Sequence, residues 1–171
     1  MKRLFLSVFM LLVAFATFAQ SRPKLIVGIA VDQMRWDYLH RYYNLYCEGG
    51  FKRLMNEGFD CENTMINYIP AITAVGHTSI YTGAVPSIHG IQANNFLLNG
   101  KMTYCTADST VSGVGTDSKA GQMSPRNMLT TTIGDELKVA TNFKSRVFGV
   151  SIKDRAAILP AGHAADAAYW I

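Results

Sequence analysis

Apolar residues in this chain fall into three kinds of run, and each kind predicts a different element. Two runs are continuous, Lys24 to Asp32 (KLIVGIAVD) and Arg146 to Ile152 (RVFGVSI). Unbroken apolar stretches with β-branched residues are the mark of strands covered on both faces in a parallel sheet. Both lead straight into polar residues, Asp32 in the first case and Lys153-Asp154-Arg155 in the second. A second kind recurs at helical spacing and predicts helices over Met34 to Tyr46 (Trp36, Leu39, Tyr43), over Gly50 to Glu57 closed by Gly58, and over Asn127 to Ala140. In the last of these Leu129, Ile133, Leu137 and Ala140 share one face, behind Ser124-Pro125 at its start. The third kind alternates. Phe59 to Asn67 reads as a short strand carrying Cys61, while Asn95 to Leu98 and Lys101 to Cys105 flank the turn-prone Asn99-Gly100 and read as a hairpin.

One stretch between these runs organises the rest. Pro70 to Asn95, PAITAVGHTSIYTGAVPSIHGIQANN, puts the hydroxyl of Thr73 just ahead of a helix-compatible run that contains Gly76 and His77 and closes at Gly83. Helix N-termini attract anions, phosphate above all. The segment Asn94 to about Gln122 is rich in small polar residues and reads as excursions at a sheet edge, not as a separate domain. Two buried strands feeding polar loops, with helices between them, give a βαβ-type α/β fold. In open α/β sheets ligands bind beyond the carboxyl ends of the strands, which is where Asp32 and the Lys153-Asp154-Arg155 triplet emerge.

Composition adds a destination. The chain has 171 residues, 49% of them hydrophobic, enough for one domain with a core. Lys2 and Arg3 precede the apolar run Leu4 to Ala16, and Thr17-Phe18-Ala19 supplies the small residues of a signal-peptidase site, so cleavage is expected after Ala19. Residues 20–171 are then the working part, periplasmic or secreted. The apolar run is short for a membrane span of roughly 20 residues, so no stable membrane anchor is expected once the signal is cleaved. Removing Lys2 and Arg3 leaves 14 basic against 12 acidic residues, a net charge of +2, and no basic run suggests nucleic acid. Cys47, Cys61 and Cys105 lack any CxxC spacing. Either one disulfide forms, with Cys61 and Cys105 the favoured pair, or all three are small packed residues. The chain stops on Tyr169-Trp170-Ile171, which reads as a truncated end because natural termini are usually solvated.

The candidate chemistry centres on a hydroxyl, a carboxylate and two cations. A threonine hydroxyl is a poor nucleophile at neutral pH unless a base or metal stabilises its alkoxide, and Asp32 at a strand end is a suitable hard ligand for such a metal. The competing reading makes Thr73 an N-cap and Asp32 a cap of the following helix. Lys153 and Arg155 suit the non-bridging oxygens of a phosphoryl group, or else belong to a solvated loop. Asn94 is a donor to a phosphoryl oxygen or a turn former. His77, His89 and His163 are read as structural, and neither Ser79 nor Ser87 sits in a GxSxG elbow.

The strand VGIAVDQMRWDYL, the stretch ITAVGHTSIYTGAVPSIHGI, the phrase GTDSKAGQMSPRN and the segment VSIKDRAAILPAGHAADAAYW together resemble the alkaline phosphatase superfamily. Within it they are most similar to the PafA-type, phosphate-irrepressible alkaline phosphatases, with a related pattern in the nucleotide pyrophosphatase/phosphodiesterase branch. The resemblance implies the N-terminal part of an alkaline-phosphatase-like sandwich, with a mostly parallel central sheet flanked by helices and incomplete in this chain. It implies a two-zinc phosphomonoesterase in which Asp32 is a zinc ligand and Thr73 is both ligand and nucleophile, forming a phosphothreonine. It also implies that Asn94 binds one phosphoryl oxygen, and that Lys153 and Arg155 hold the others as the pair typical of the monoesterase branch. The remaining zinc ligands are expected beyond Ile171, which would leave the fragment poor at binding zinc and nearly inactive. The expected partners are small phosphate monoesters, with a monomer favoured. Two other readings stay open: a phosphodiesterase or nucleotide pyrophosphatase, and an exported binding fragment without catalysis.

Overall fold

The computed structural model describes residues 23–171, so the expected signal segment lies outside the described residues. The chain divides into two units, Met1–Val31 and Asp32–Ile171.

In the first unit, residues 24–31 form no strand, and Leu25, Ile26, Val27, Ile29 and Val31 are exposed. The expected strand Lys24 to Asp32 is therefore not formed among the described residues. A strand is defined by ladder partners, and an apolar pattern records the need for cover without supplying it.

The second unit opens with α1, Asp37–Arg41, followed by a 3₁₀ turn over Tyr43–Leu45. One helix through Tyr46 was expected. The helix breaks at Tyr42 (φ −106°, ψ 14°), and no residue of α1 is buried to hold a longer one. Helix α2, Phe51–Glu57, falls where the sequence put it and ends at Gly58. The strand expected over Phe59 to Asn67 is absent. This segment is turns and unpaired chain, with Phe59 92% and Met65 86% exposed, so its alternation has no face to bury.

Helix α3, Thr73–Thr82, is the centre of the unit. Its Ala74, Val75, His77, Thr78 and Ser79 are buried, and Gly83 ends it in the left-handed conformation (φ 66°), where glycine is favoured. The short α4, Pro86–His89, follows with Pro86 at its first position. Strands β1 (Asn95–Leu98) and β2 (Lys101–Tyr104) pair antiparallel in the register Leu98↔Lys101 to Asn95↔Tyr104. Asn99 (φ 50°) and Gly100 (φ 78°) supply the two positive φ angles that a type I′ hairpin turn requires.

Helix α5, Ile133–Ala140, starts six positions after the expected Asn127. Its start is set by a capping box, in which the Thr132 hydroxyl accepts from the Asp135 N–H and the Asp135 carboxylate accepts from the Thr132 N–H. Residues ahead of it are in a turn closed by the Met128 N–H to Pro125 C=O bond. The expected apolar face is not the docked one. Leu129 and Ile133 are exposed, while Thr132, Asp135 and Lys138 are buried. The reason is polar. The Asp135 carboxylate accepts from the Ala164 N–H (2.6 Å), and Lys138 Nζ pairs with Asp166 Oδ2 (2.7 Å), so the helix docks onto the chain around 164–166 through hydrogen bonds.

Strand β3 (Phe148–Val150), helix α6 (Asp154–Ala161) and strand β4 (Ala167–Tyr169) form a βαβ unit with β3 and β4 parallel. β3 is covered on one face only, since Gly149 is buried while Phe148 and Val150 are exposed. A Cβ on Gly149 would meet the Ala157 carbonyl oxygen closer than any real contact, so glycine lets the strand lie against α6. Helices α3 and α6 pack more extensively than any other pair. Between them lies a core of Ala74, Ile91, Phe96, Cys105, Met128 and Leu159. Cys105 is buried and free, and Cys47 and Cys61 are exposed and free, so the favoured Cys61–Cys105 disulfide is not formed.

Candidate functional site

Thr73 is the first helical residue of α3, with Ile72 (φ −99°, ψ 167°) as the N-cap. The N-cap reading of Thr73 is therefore wrong by one position. Its side chain does not cap the helix but donates from Oγ1 to Asp32 Oδ2 at 3.0 Å, across 41 positions of sequence. Asp32 is followed by Gln33 in the left-handed region (φ 59°), so the chain turns sharply after the carboxylate. This pair is exposed and has no competing ion pair among the described residues.

With no side-chain cap of its own, α3 has amide hydrogens to satisfy at its start. Asn94 supplies one acceptor. Its Oδ1 accepts from the Ala74 N–H at 3.0 Å. A backbone N–H can only donate, so the Asn94 amide group is the end turned away from that bond. Thr73, Asp32 and Asn94 thus gather at one helix N-terminus, whose partial positive charge favours an anion.

Lys153 and Arg155 are not in a loop, as the sequence suggested; they are the N-cap and second residue of α6. Lys153 is exposed, and its side chain makes no hydrogen bond among the described residues. Arg155 is half-buried and donates from Nη1 to the Tyr104 hydroxyl at 2.9 Å. Its Nε–H is buried and finds no acceptor among the described residues. A buried donor left unmade costs about 1–3 kcal/mol, so a guanidinium held this way gains from an arriving oxygen acceptor.

Behind Arg155 lies a set of contacts that sequence reading missed. The Tyr104 hydroxyl donates to Asp154 Oδ1 at 2.8 Å, and the Thr106 hydroxyl donates to Asp154 Oδ2 at 2.5 Å. Both carboxylate oxygens are thereby tied to the hairpin's end. Burial raises the Tyr104 phenol pKa, the Arg155 bond opposes that rise, and Asp154 adds to it. Tyr104 ends β2 and Thr106 lies in the turn after it, closed by the Ala107 N–H to Tyr104 C=O bond (3.0 Å), so a turn and not strand alternation brings the two hydroxyls to one carboxylate.

His77, one turn after Thr73, links the two halves. Burial lowers its pKa, the charge of Asp32 opposes this, and that of Arg155 reinforces it, so carboxylate and guanidinium act on one imidazole. His89 is fully buried. Its Nδ1 accepts from the Ile91 N–H (3.1 Å), which leaves Nε2–H to donate to Ser79 Oγ (2.9 Å). Burial keeps this imidazole neutral by lowering its pKa. Ser79 is occupied by that bond.

Asp32 and Thr73 offer two oxygens close enough to share an edge of a divalent ion's shell. A zinc ion takes four ligands, and among the described residues no three His, Cys, Asp or Glu side chains come together. The residues present therefore fit one edge of a metal site and not a whole one. A cleft of about 810 Å³ lies elsewhere, lined by residues of the 111–125 segment and by the end of the chain. None of the helices among the described residues is long and apolar enough to cross a membrane.

Comparisons with known proteins bear on the family and the fold. Residues 26–170 match the family model described as type I phosphodiesterase / nucleotide pyrophosphatase. The chain is 58% identical over 163 residues to a protein named calcium-transporting ATPase from Myroides odoratus, covering 92% of this chain and 30% of that one. It is 59% identical over 157 residues to alkaline phosphatase PafA from Elizabethkingia meningoseptica, covering 90% of this chain and 29% of that one. The crystal structure of wild-type PafA superposes with a TM-score of 0.86 over 89% of this chain, at 59% identity. That of a PafA mutant changed at a threonine, an asparagine, a lysine and an arginine gives 0.85. The chain spans about 30% of the length of the relatives it matches.

Proposed function

The chain belongs to the type I phosphodiesterase / nucleotide pyrophosphatase family, and from that premise we propose that it carries the nucleophile and phosphate-binding half of an exported, zinc-dependent phosphomonoesterase. The observation that supports this most is the Thr73 Oγ1 to Asp32 Oδ2 contact of 3.0 Å at the start of α3, with Asn94 at the same helix end. The PafA variant changed at a Thr, an Asn, a Lys and an Arg supports it further, because Thr73, Asn94, Lys153 and Arg155 are those four residue types. The names of the two relatives, a phosphatase and an ATPase, share one step, the breaking of a P–O bond.

In this reading the Thr73 hydroxyl gives up its proton to solvent as Oγ1 attacks phosphorus and the P–Oγ bond forms, and the ester oxygen leaves with the electron pair of its P–O bond and takes a proton from water. Water then cleaves the phosphothreonine to threonine and inorganic phosphate. Asn94 donates to one non-bridging oxygen, and Lys153 and Arg155 hold the rest, where charge develops in the transition state. Asp32 and Thr73 would hold one zinc ion, with its other ligands and the second ion supplied by the rest of the full-length protein. A bound divalent ion supplies Lewis acidity, lowering the pKa of the hydroxyl and offsetting negative charge. Residues 1–19 act as an export signal, and residues 20–171 are the start of the catalytic domain.

Turnover of an aryl monoester and a bis-aryl diester by the full-length protein tests this. A strong monoester preference is expected. A marked diester preference overturns the monoesterase reading in favour of the second one, a phosphodiesterase, which the description of the family model favours.

A further inference from the structure

We infer that Tyr104 is a positioning residue for Arg155, and that the end of the hairpin, through Tyr104 and Thr106, sets where the guanidinium meets a phosphoryl group. The inference rests on the phosphomonoesterase reading.

The Tyr104 hydroxyl has one proton, and Arg155 can only donate, so the direction of each bond is fixed. Arg155 Nη1–H donates to Tyr104 Oη (2.9 Å), and Tyr104 Oη–H donates to Asp154 Oδ1 (2.8 Å). Thr106 Oγ1–H closes the clamp on Asp154 Oδ2 (2.5 Å). Asp154 is the first helical residue of α6 and Arg155 the second, so anchoring the carboxylate also anchors the backbone that carries the arginine. Tyr104 is itself braced, with its ring packed against the core cluster that includes Cys105 and Leu159. The result is an arginine fixed from two sides, at Cα through Asp154 and at Nη1 through Tyr104, with Nε left buried and unsatisfied. An arginine side chain otherwise gives up much rotamer freedom to bind an oxyanion, and pre-setting it removes that cost.

The clamp does not use Thr73, Asp32 or Asn94, and neither Tyr104 nor Thr106 belongs to the nucleophile's side of the site. It is a specificity device in the sense that it serves only the cation facing the non-bridging oxygens. A diester, with fewer of those oxygens, depends on it less.

A double-mutant cycle on the full-length protein separates this role from a merely structural one. Tyr104→Phe removes the hydroxyl and keeps the ring in the core. Aryl phosphate kcat/KM is expected to fall about tenfold in Tyr104→Phe, short of the roughly 10²-fold expected for Arg155→Ala. In the Arg155→Ala background, Tyr104→Phe should have no further effect, and its effect on bis-aryl diester turnover should be within about twofold. Equal losses from Tyr104→Phe in the two backgrounds, or no loss in either, overturn the inference while leaving the phosphatase reading intact. If Arg155→Ala leaves monoester turnover unchanged, or the full-length protein turns over no monoester, the functional reading and this inference fall together.

Discussion

Thr73 and Asp32 are joined by a hydrogen bond of 3.0 Å between side chains 41 positions apart, and the bond spends the threonine's only proton on the carboxylate and not on its own helix. A hydroxyl whose job was to cap would accept from a backbone N–H of the first turn. This one accepts from no amide of its own helix and donates to a carboxylate.

Thr73→Ala is therefore expected to abolish aryl phosphate turnover in the full-length protein, while Thr73→Ser keeps a measurable fraction. Intact mass after an acid quench should show the phosphorylated enzyme in wild type and Ser variant only. Full activity in the alanine variant would remove Thr73 from the mechanism.

Lys153→Ala and Arg155→Ala should each lower monoester kcat/KM by on the order of 10²-fold, the size of losing one transition-state donor. Diester turnover should fall less. Uniform losses on both substrates would mean that these cations shape the fold and not the reaction.

Asp135 connects stability to pH. Burial works against its charge, but bonds from the Thr132, Ala164 and His163 amides and the Thr132 hydroxyl outweigh it and lower its pKa. A carboxylate depressed in the folded state adds stability above its unfolded pKa, and that stability is lost as pH falls through the folded value. The melting temperature should hold at neutral pH and decline below about pH 4. Asp135→Ala should cost about 2 kcal/mol or more at pH 7, because it removes half of a capping box and orphans buried amides. It should also flatten the acid decline. An unchanged acid profile in the variant would show that other carboxylates govern it.

Gly149→Ala places a methyl group against the Ala157 carbonyl and the Ala161 side chain. It should destabilise by about 1–3 kcal/mol through forced separation of β3 and α6. Denaturant melts of the two proteins measure this, and coincident midpoints would contradict it.

The three thiols should react unequally. Burial, with Asp154 adding to it, raises the Cys105 pKa to about 11, while Cys47 and Cys61 are exposed. At pH 8 a thiol reagent should modify two cysteines in the folded protein and the third only in denaturant. Rapid labelling of all three would show that the core around Cys105 opens readily.

What the sequence made legible was local. Asn99-Gly100 dictates a type I′ turn by itself, and Gly83 ends α3 where the left-handed conformation is needed, so both were readable without knowing the fold. The start of α5 was not, because apolar spacing from Leu129 outlined a face that the structure leaves exposed, while the docked face is held by Asp135 and Lys138 bonding to residues more than twenty positions on. The run at residues 24–31 failed for a related reason, since strand formation depends on partners that a local pattern cannot name. In the site, residue identities at Asp32, Thr73, Asn94, Lys153 and Arg155 were visible as a resemblance. That Tyr104 holds Arg155 was not, because their contact spans 51 positions and a tyrosine in a hairpin looks like packing.

The bond from the Ala74 amide to Asn94 Oδ1 makes this asparagine a one-way gate for charge. With its acceptor engaged, only its amide hydrogens face an incoming group, so it welcomes anions and offers nothing to cations. Exchanging that NH2 for an oxygen in Asn94→Asp would improve the helix cap and, on the proposed reading, set a fixed negative charge where a phosphoryl oxygen would bind. The variant should melt higher and turn over less, which makes the choice of asparagine a concession of stability to a guest.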